Sequence, residues 1–371
     1  MFVYTAGATA IAGDLQVSPT YIGYQIGIAY FAATLCTLFS SSITRRVGAV
    51  SALAIAMACL AAGAAVSTFW KLTGMVTGSV IMGLGFGLIP AAASQVLIAV
   101  SGKTNRALIF SIKQSGIPVG GMLAALTTPF LTEVWGWRAA GYSVCIASLI
   151  LFILLFVNRR RWVNVNVTSQ SVPLNPLLPL MAVRGSKSLV LLIYMALCYV
   201  GVQIVLLTFL SPYFVQDIEI SLLEAGYLLA VIQVTGIFGR IVWGWLSDHL
   251  QDNFTSMVIL GVVMTICCVS IDVISVNLPS AFLILLCVFI GLSAVSWNGV
   301  FHAALIEVSP PNDSVQVIAG MAFYVYVAMF VWPPLFAFLI AESGSYTGPF
   351  ILLALLSLAG VYFGMQARRQ R

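Results

Sequence analysis

Ser188-Leu-Val-Leu-Leu-Ile-Tyr-Met-Ala-Leu-Cys-Tyr-Val-Gly-Val-Gln-Ile-Val-Leu-Leu-Thr-Phe-Leu-Ser-Pro-Tyr-Phe-Val215 runs without a charged residue. At about 1.5 Å per residue such a helix outreaches a hydrocarbon core of about 30 Å. Phe282 to Val300 repeats the pattern. Across the chain of 371 residues, 61% are hydrophobic and 7% charged, against roughly 25% charged in soluble domains. Too few charges remain to cover a water-facing surface, and the chain reads as an all-α membrane protein. A β-barrel would show alternating segments of about ten residues, which are absent. The net charge of +5 forms no basic stripe on a polar domain, so a nucleic-acid partner is excluded.

Outward from that stretch, polar punctuation separates helices near 1–12, 19–43, 48–69, 72–100, 107–133, 136–157, 188–215, 221–246, 254–276, 279–306, 315–340 and 346–366. The longest polar stretch, 158–187, holds Arg159, Arg160, Arg161, Arg184 and Lys187. It reads as a linker between a helical bundle at 1–157 and a second at 188–371, which ends in a short basic tail. Arg45, Arg46, Lys103, Arg106, the linker cations, Arg368, Arg369 and Arg371 crowd one set of loops. The opposite loops hold Lys71 and Arg138 beside Asp14, Glu133, Asp217, Glu219 and Glu342. Positive loops stay inside, so both termini are expected in the cytoplasm, with the chain multi-pass in a bacterial inner membrane.

The halves repeat. Asp14-Leu-Gln-Val-Ser18 with Gly23-Tyr24 matches Asp217-Ile-Glu-Ile-Ser221 with Gly226-Tyr227. The same register lays Ser41 on Gly244 and Arg45 on Asp248. Two halves in the same order imply a pseudo-twofold axis along the membrane normal. Before Asp14 only Met1 to Gly13 are available, about 20 Å of helix. The first span is therefore expected to be truncated, its remainder lying upstream.

Gly244-Trp-Leu-Ser-Asp248 resembles the loop motif of the major facilitator superfamily, a glycine four residues before an aspartate between a half's second and third helices. Its first-half counterpart, Ser41-Ser-Ile-Thr-Arg45-Arg46-Val47-Gly48, keeps Arg46 and Gly48 and replaces the acid with Arg45. Gly116-Ile-Pro118-Val-Gly120-Gly121 resembles the family's fifth-helix motif, with Ile117 inserted. Gly83-Leu-Gly85-Phe-Gly87 followed by Pro90 fits the fourth helix, although the family's arginine, expected near Ser79, is missing. The resemblance covers almost the whole chain. It implies two six-helix bundles rocking around a central site. It also implies gating at Gly244, Asp248, Arg46 and Gly48, and close packing at Gly116, Pro118, Gly120 and Gly121.

Lys113 stands about 10 Å into the fifth helix. A cation at that depth is costly and marks function, unless its long stem snorkels to the surface. The repeat lays Lys113 on Met321, so the scaffold does not require the charge. Gln114 is its polar neighbour. Trp297, Asn298 and His302 share the tenth span, and Gln203, with Tyr199, lies on the seventh. These are candidate substrate contacts, as are Pro90, Ser94, Gln95 and Gln233. Arg240 reads as a gate residue or as a structural partner of Asp248, Glu307 or Asp313. No carboxylate stands at a helix midpoint, which leaves symport, antiport and uniport open.

The expected function is secondary transport of a small solute by alternating access, an organic anion being favoured by Lys113. An exporter of apolar drugs is the alternative, and would tolerate loss of that lysine. An integral membrane enzyme would need clustered acids, histidines or cysteines, which the chain lacks. A non-transporting sensor differs only in the absence of flux. No cofactor or metal is expected. The partners are the solute, the bilayer and a coupling proton or other ion, with a single chain as the working unit.

Overall fold

The computed structural model describes residues 1–69, 71–100, 106–159, 178–272, 280–310 and 314–370. Among them there is no strand, and eleven helices are long and apolar enough to cross a membrane. In chain order these are α3 (Tyr21–Val47), α4 (Ala49–Phe69), α5 (Lys71–Val100), α6 (Arg106–Trp135), α7 (Trp137–Asn158), α9 (Lys187–Gln216), α10 (Leu222–Leu250), α11 (Asn253–Asp272), the compound helix α12 (Ser280–Ile290) with α13 (Asn298–Val308), α14 (Ser314–Ser343) and α15 (Thr347–Arg369). Most of their ends lie within a few residues of the apolar runs. Three features depart from them. The expected span at 1–12 is two short helices, α1 (Phe2–Ala6) and α2 (Ala8–Leu15), hinged at Gly7. The linker contains a short helix, α8 (Leu178–Val183), packed against α9 and α14. The tenth span carries a π-helical turn at Gly291–Val295 between α12 and α13.

Local chemistry fixes the helix starts. Ser186 caps α9 by accepting from the Leu189 N–H at 3.2 Å. Ser221 and Glu224 form a reciprocal box at α10: the Glu224 N–H donates to Ser221 Oγ at 3.1 Å and the Ser221 N–H to Glu224 Oε2 at 2.9 Å. Each satisfies an amide that helix geometry leaves unpaired. Between helices, small residues replace the hydrophobic drive that lipid removes. A Cβ on Gly63 would meet the Gly78 carbonyl at 2.7 Å, and one on Gly78 the Gly63 carbonyl at 2.5 Å, so α4 and α5 cross backbone to backbone.

The backbone repeats more faithfully than the side chains. Among the described residues, six have left-handed φ. The register that lays Asp14 on Asp217 pairs Gln16 (56°) with Glu219 (60°), and Gly48 (88°) with Gln251 (51°). The register that lays Lys113 on Met321 pairs Gly136 (80°) with Gly344 (67°). Each pair turns the chain at an equivalent corner of the two halves. Gly48 thus has a conformational reason within its loop motif: it ends α3 in a region costly to residues with a Cβ.

Contacts group the residues into two compact units. One comprises Met1–Tyr24, Ile117–Phe130 and Leu177–Arg371; the other comprises Gln25–Gly116 and Leu131–Pro176. In the first unit α11 packs on α15, α15 on α9, and α1 on α9 and α10. In the second, α4 packs on α5 and α7.

Candidate functional site

A buried polar cluster lies in the first unit. Gln203, on α9, is 8% exposed. Its Oε1 accepts from Trp297 Nε1 at 3.0 Å and from Asn298 Nδ2 at 3.4 Å. The edge of Tyr199 meets the Trp297 ring at 5.8 Å, and Phe301 meets it at 5.1 Å. The Tyr199 hydroxyl donates to the Met257 carbonyl at 2.9 Å, tying the cluster to α11. His302 Nδ1 lies 2.7 Å from the Asn298 carbonyl. A carbonyl only accepts, so Nδ1 carries the proton and neutral His302 presents Nε2 as an acceptor. Gln203, Trp297, Asn298 and His302 thus form one array, with Trp297 fully buried and Asn298 and His302 half-buried.

Immediately before that array, the π turn of residues 291–295 breaks the α-helical ladder and releases carbonyls. Side chains of α10 and of the span itself take them up. Arg240 donates to the Val295 carbonyl through Nε and Nη2, both at 3.3 Å. Trp243 Nε1 donates to the Leu292 carbonyl at 2.7 Å, and Ser296 Oγ to the Gly291 carbonyl at 2.8 Å. Arg240 therefore holds the backbone two residues ahead of Trp297. Apolar composition gives no sign of this turn. The one available signal was a charged Arg240 and a Trp243 placed one turn apart in an otherwise apolar α10.

In the second unit, Lys113 and Gln114 are half-buried on α6. Lys113 makes no ion pair among the described residues, whereas its repeat partner Met321 is buried. Gln95 is half-buried and Gln233 buried; the Ser94 side chain lies outside the described residues.

Of the fifth-helix motif, Pro118 is buried and Gly121 lies against the Gln233 side chain, where a Cβ would meet its Cδ at 2.6 Å. Gly116 and Gly120 are exposed, and a Cβ there meets nothing within 4 Å. At the loop motifs, Arg46 is exposed and a Cβ on Gly244 meets nothing within 4 Å. The Arg45 and Asp248 side chains, like all of Asp313, lie outside the described residues. Next to Asp248, Ser247 Oγ donates to Asn253 Oδ1 at 2.7 Å, and Asn253 Nδ2 donates to Glu307 Oε2 at 3.0 Å. This relay joins α10, α11 and α13 at the end that carries the basic loops.

At the opposite end, called here the far end, two glycines make matching contacts. A Cβ on Gly23 of α3 would meet the Pro333 carbonyl at 2.5 Å and Ala337 Cβ at 2.9 Å, both on α14. A Cβ on Gly226 of α10 would meet the Ala125 carbonyl at 2.5 Å and Pro129 Cγ at 2.6 Å, both on α6. The repeat register pairs Gly23 with Gly226, Ala125 with Pro333, and Pro129 with Ala337. The two seams are one contact built twice. Ser211 Oγ on α9, donating to the Ala6 carbonyl at 3.3 Å, adds a third seam there.

Known proteins match this arrangement. The Major Facilitator Superfamily profile matches residues 1–333. A hexuronate transporter of Bacillus subtilis is 22% identical over 93% of this chain and 85% of its own length. The fold superposes on a POT family transporter in complex with 5-aminolevulinic acid with a TM-score of 0.78, covering 99% of this chain and 94% of that one at 12% identity. A D-xylose–proton symporter gives 0.75, covering 100% and 95% at 15% identity. With the family matched over most of the chain and the helices folded as in these carriers, the protein belongs to the Major Facilitator Superfamily of transporters.

Proposed function

We propose that this transporter carries a small organic anion of the sugar-acid type by alternating access, through halves 1–157 and 188–371 joined by the linker 158–187. Lys113 carries the reading: a cation on a membrane-spanning helix, half-buried, without an ion pair among the described residues. Low dielectric magnifies its attraction for a carboxylate. The similarity to a hexuronate transporter supports the same chemistry. Within the first unit, the array of Gln203, Trp297, Asn298 and His302 offers donors and acceptors of its own. Proton coupling is supported by the likeness to a proton symporter and by His302, which can take a proton at Nε2.

Binding and proteoliposome uptake of D-glucuronate, with D-glucose as the neutral control, test the proposal. Lys113→Met is expected to weaken glucuronate binding at least about tenfold, or about 1.4 kcal/mol. Lys113→Arg should retain part of the affinity, because the charge persists while its geometry changes. Unchanged affinity in Lys113→Met would assign the lysine to the interface and remove the case for an anion. Drug export unaffected by Lys113→Met would support the exporter instead.

The bias of the loop cations further supports cytoplasmic termini in a bacterial inner membrane. Reporter tags at the C-terminal tail and near Glu342 should read inside and outside respectively, and the reverse result would refute this orientation.

A further inference from the structure

We infer that the adjoining ends of α9 and α15, at the basic end of the first unit, bind an anionic glycerophospholipid. The two ends meet although they lie far apart in the chain: Ser188 Oγ, at the start of α9, donates to the Gln370 carbonyl, at the end of α15, at 3.2 Å. Lys187 and Arg369 are the neighbours of those two residues, so the contact draws two cations to one corner. Both are exposed, and neither has an ion pair among the described residues. The exposed Arg184, three residues before Lys187, donates through Nε to the Tyr324 hydroxyl at 3.1 Å, which ties it to α14 beside them. Arg368 is held by Asp252 at 2.8 Å and adds no free charge. The anion that a membrane surface offers to such a corner is a phosphodiester.

What lies below the cations fits the rest of the lipid. On α15, Leu355, Leu358, Tyr362, Met365 and Arg369 are all exposed, at spacings of three and four residues that put them on one face. An exposed apolar stripe on a membrane-spanning helix faces acyl chains, and this one ends in a cation. On α9, a mostly buried helix, Lys187 and Tyr194 are exposed. They stand two turns, or about 10 Å, apart on the same side. The two helices join there through rings: Tyr194 and Phe363 lie 5.2 Å apart, and Phe363 meets Tyr362 at 5.7 Å. Among the described residues, the Tyr194 and Tyr362 hydroxyls make no hydrogen bond. Tyrosines about 10 Å beneath the cations match the interfacial level of a leaflet, where amphipathic rings sit. The fold does not ask for them. The register that lays Lys113 on Met321 lays Tyr362 and Phe363 on Leu154 and Leu155, so hydrocarbon serves at the same place in the other half. Cations, aromatic seat and apolar stripe follow the order of phosphate, ester and acyl chain in one lipid. A soluble phosphate would use only the first.

Native mass spectrometry of the purified chain in a neutral detergent counts bound lipids and gives the dissociation constant of the first. Dioleoyl phosphatidylglycerol is titrated against dioleoyl phosphatidylcholine, with glycerol 3-phosphate as the soluble competitor. In the parent the first phosphatidylglycerol should bind at least about tenfold tighter, since each cation near an anionic lipid contributes about a factor of five. Lys187→Gln with Arg369→Gln should bring the two lipids within about twofold of each other. Lys71→Gln with Arg159→Gln removes the same charge away from the corner and should keep the preference. Tyr194→Leu should weaken both lipids alike, by about threefold, because the ring meets the part they share. Each variant is checked for folding by its melting curve. Phosphatidylglycerol should raise the melting temperature of the parent and leave that of the variant lacking Lys187 and Arg369 unchanged.

Equal affinity for the two lipids in the parent would overturn the inference. So would an equal loss of preference in the variant lacking Lys71 and Arg159, which would leave only the diffuse attraction of a positive surface. Displacement of phosphatidylglycerol by glycerol 3-phosphate at similar concentration would assign the corner to a soluble phosphate instead. Unchanged binding in Tyr194→Leu would overturn the built seat and leave charge alone. In detergent every surface of the molecule meets the lipid, so these results are independent of the solute carried and of the direction in which the chain faces.

Discussion

Asp252 shows how one side chain can hold a helix in register. Its Oδ1 accepts from the Phe254 and Thr255 N–H groups, both at 3.1 Å, and its Oδ2 from the Thr255 hydroxyl at 2.8 Å and Arg368 Nη2 at 2.8 Å. Burial opposes its charge, but the Thr255 hydrogen bonds, Arg368 and the Phe254 N–H outweigh it and hold the carboxyl below the usual carboxylate range. The sign follows. A depressed folded pKa gives stability that is present above the unfolded value near about 4 and is lost as pH falls through the folded value. Asp252→Ala should lower stability at neutral pH by about 1 kcal/mol, the usual worth of an N-cap. The mostly exposed Arg368 contributes little of that. The gap between wild type and variant should narrow towards about pH 3 in thermal melts; a gap constant with pH would assign the loss to shape. The acid at 252 is plain in the sequence, but its capping role needed the α11 backbone beside it.

At the scale of an element, the tenth span carries the most specific arrangement. Gly291–Val295 is as apolar as its flanks, so periodicity reads one unbroken helix, and only the released carbonyls reveal the π turn. Arg240 and Trp243 bind the same turn, and their contributions should therefore not add. Each of Arg240→Met and Trp243→Phe should cost on the order of 1–3 kcal/mol by orphaning a buried carbonyl. A double-mutant cycle on thermal stability should show coupling. Strict additivity would mean that the two side chains serve separate features. The eleven long spans were legible because lipid leaves the backbone almost no alternative to helix. The grouping of Gln203 with Trp297 was not, since it depends on how α9 faces the tenth span. Glycine patterns were legible only as positions: Gly121 has a neighbour that requires it, while Gly116 and Gly120 of the same motif have none within 4 Å.

For the molecule as a whole, the repeat is the organising fact, visible in Asp14 and Asp217 from the sequence and in the paired left-handed corners from the backbone. Its clearest packing expression is the doubled far-end seam. Gly226→Val would drive a side chain into the Ala125 carbonyl, so closure there should fail. External maleimide labelling of Ser211→Cys, at a position fully buried at this end, should rise about tenfold and uptake should collapse, while solute binding from that side survives. Loss of binding together with uptake would point instead to misfolding of the unit. The glycine contacts of the seam are themselves uncharged, since Gly23 and Gly226 meet carbonyls and hydrocarbon at their nearest atoms. Charges at this end stand close by in the sequence, at Asp14, Asp217 and Glu224 among others. Raising salt from about 0.1 to about 1 M cuts the screening length from about 10 to about 3 Å, so any salt dependence of opening at this end should trace to those charges and vanish when they are neutralised, while the packing of the glycines answers only to added bulk.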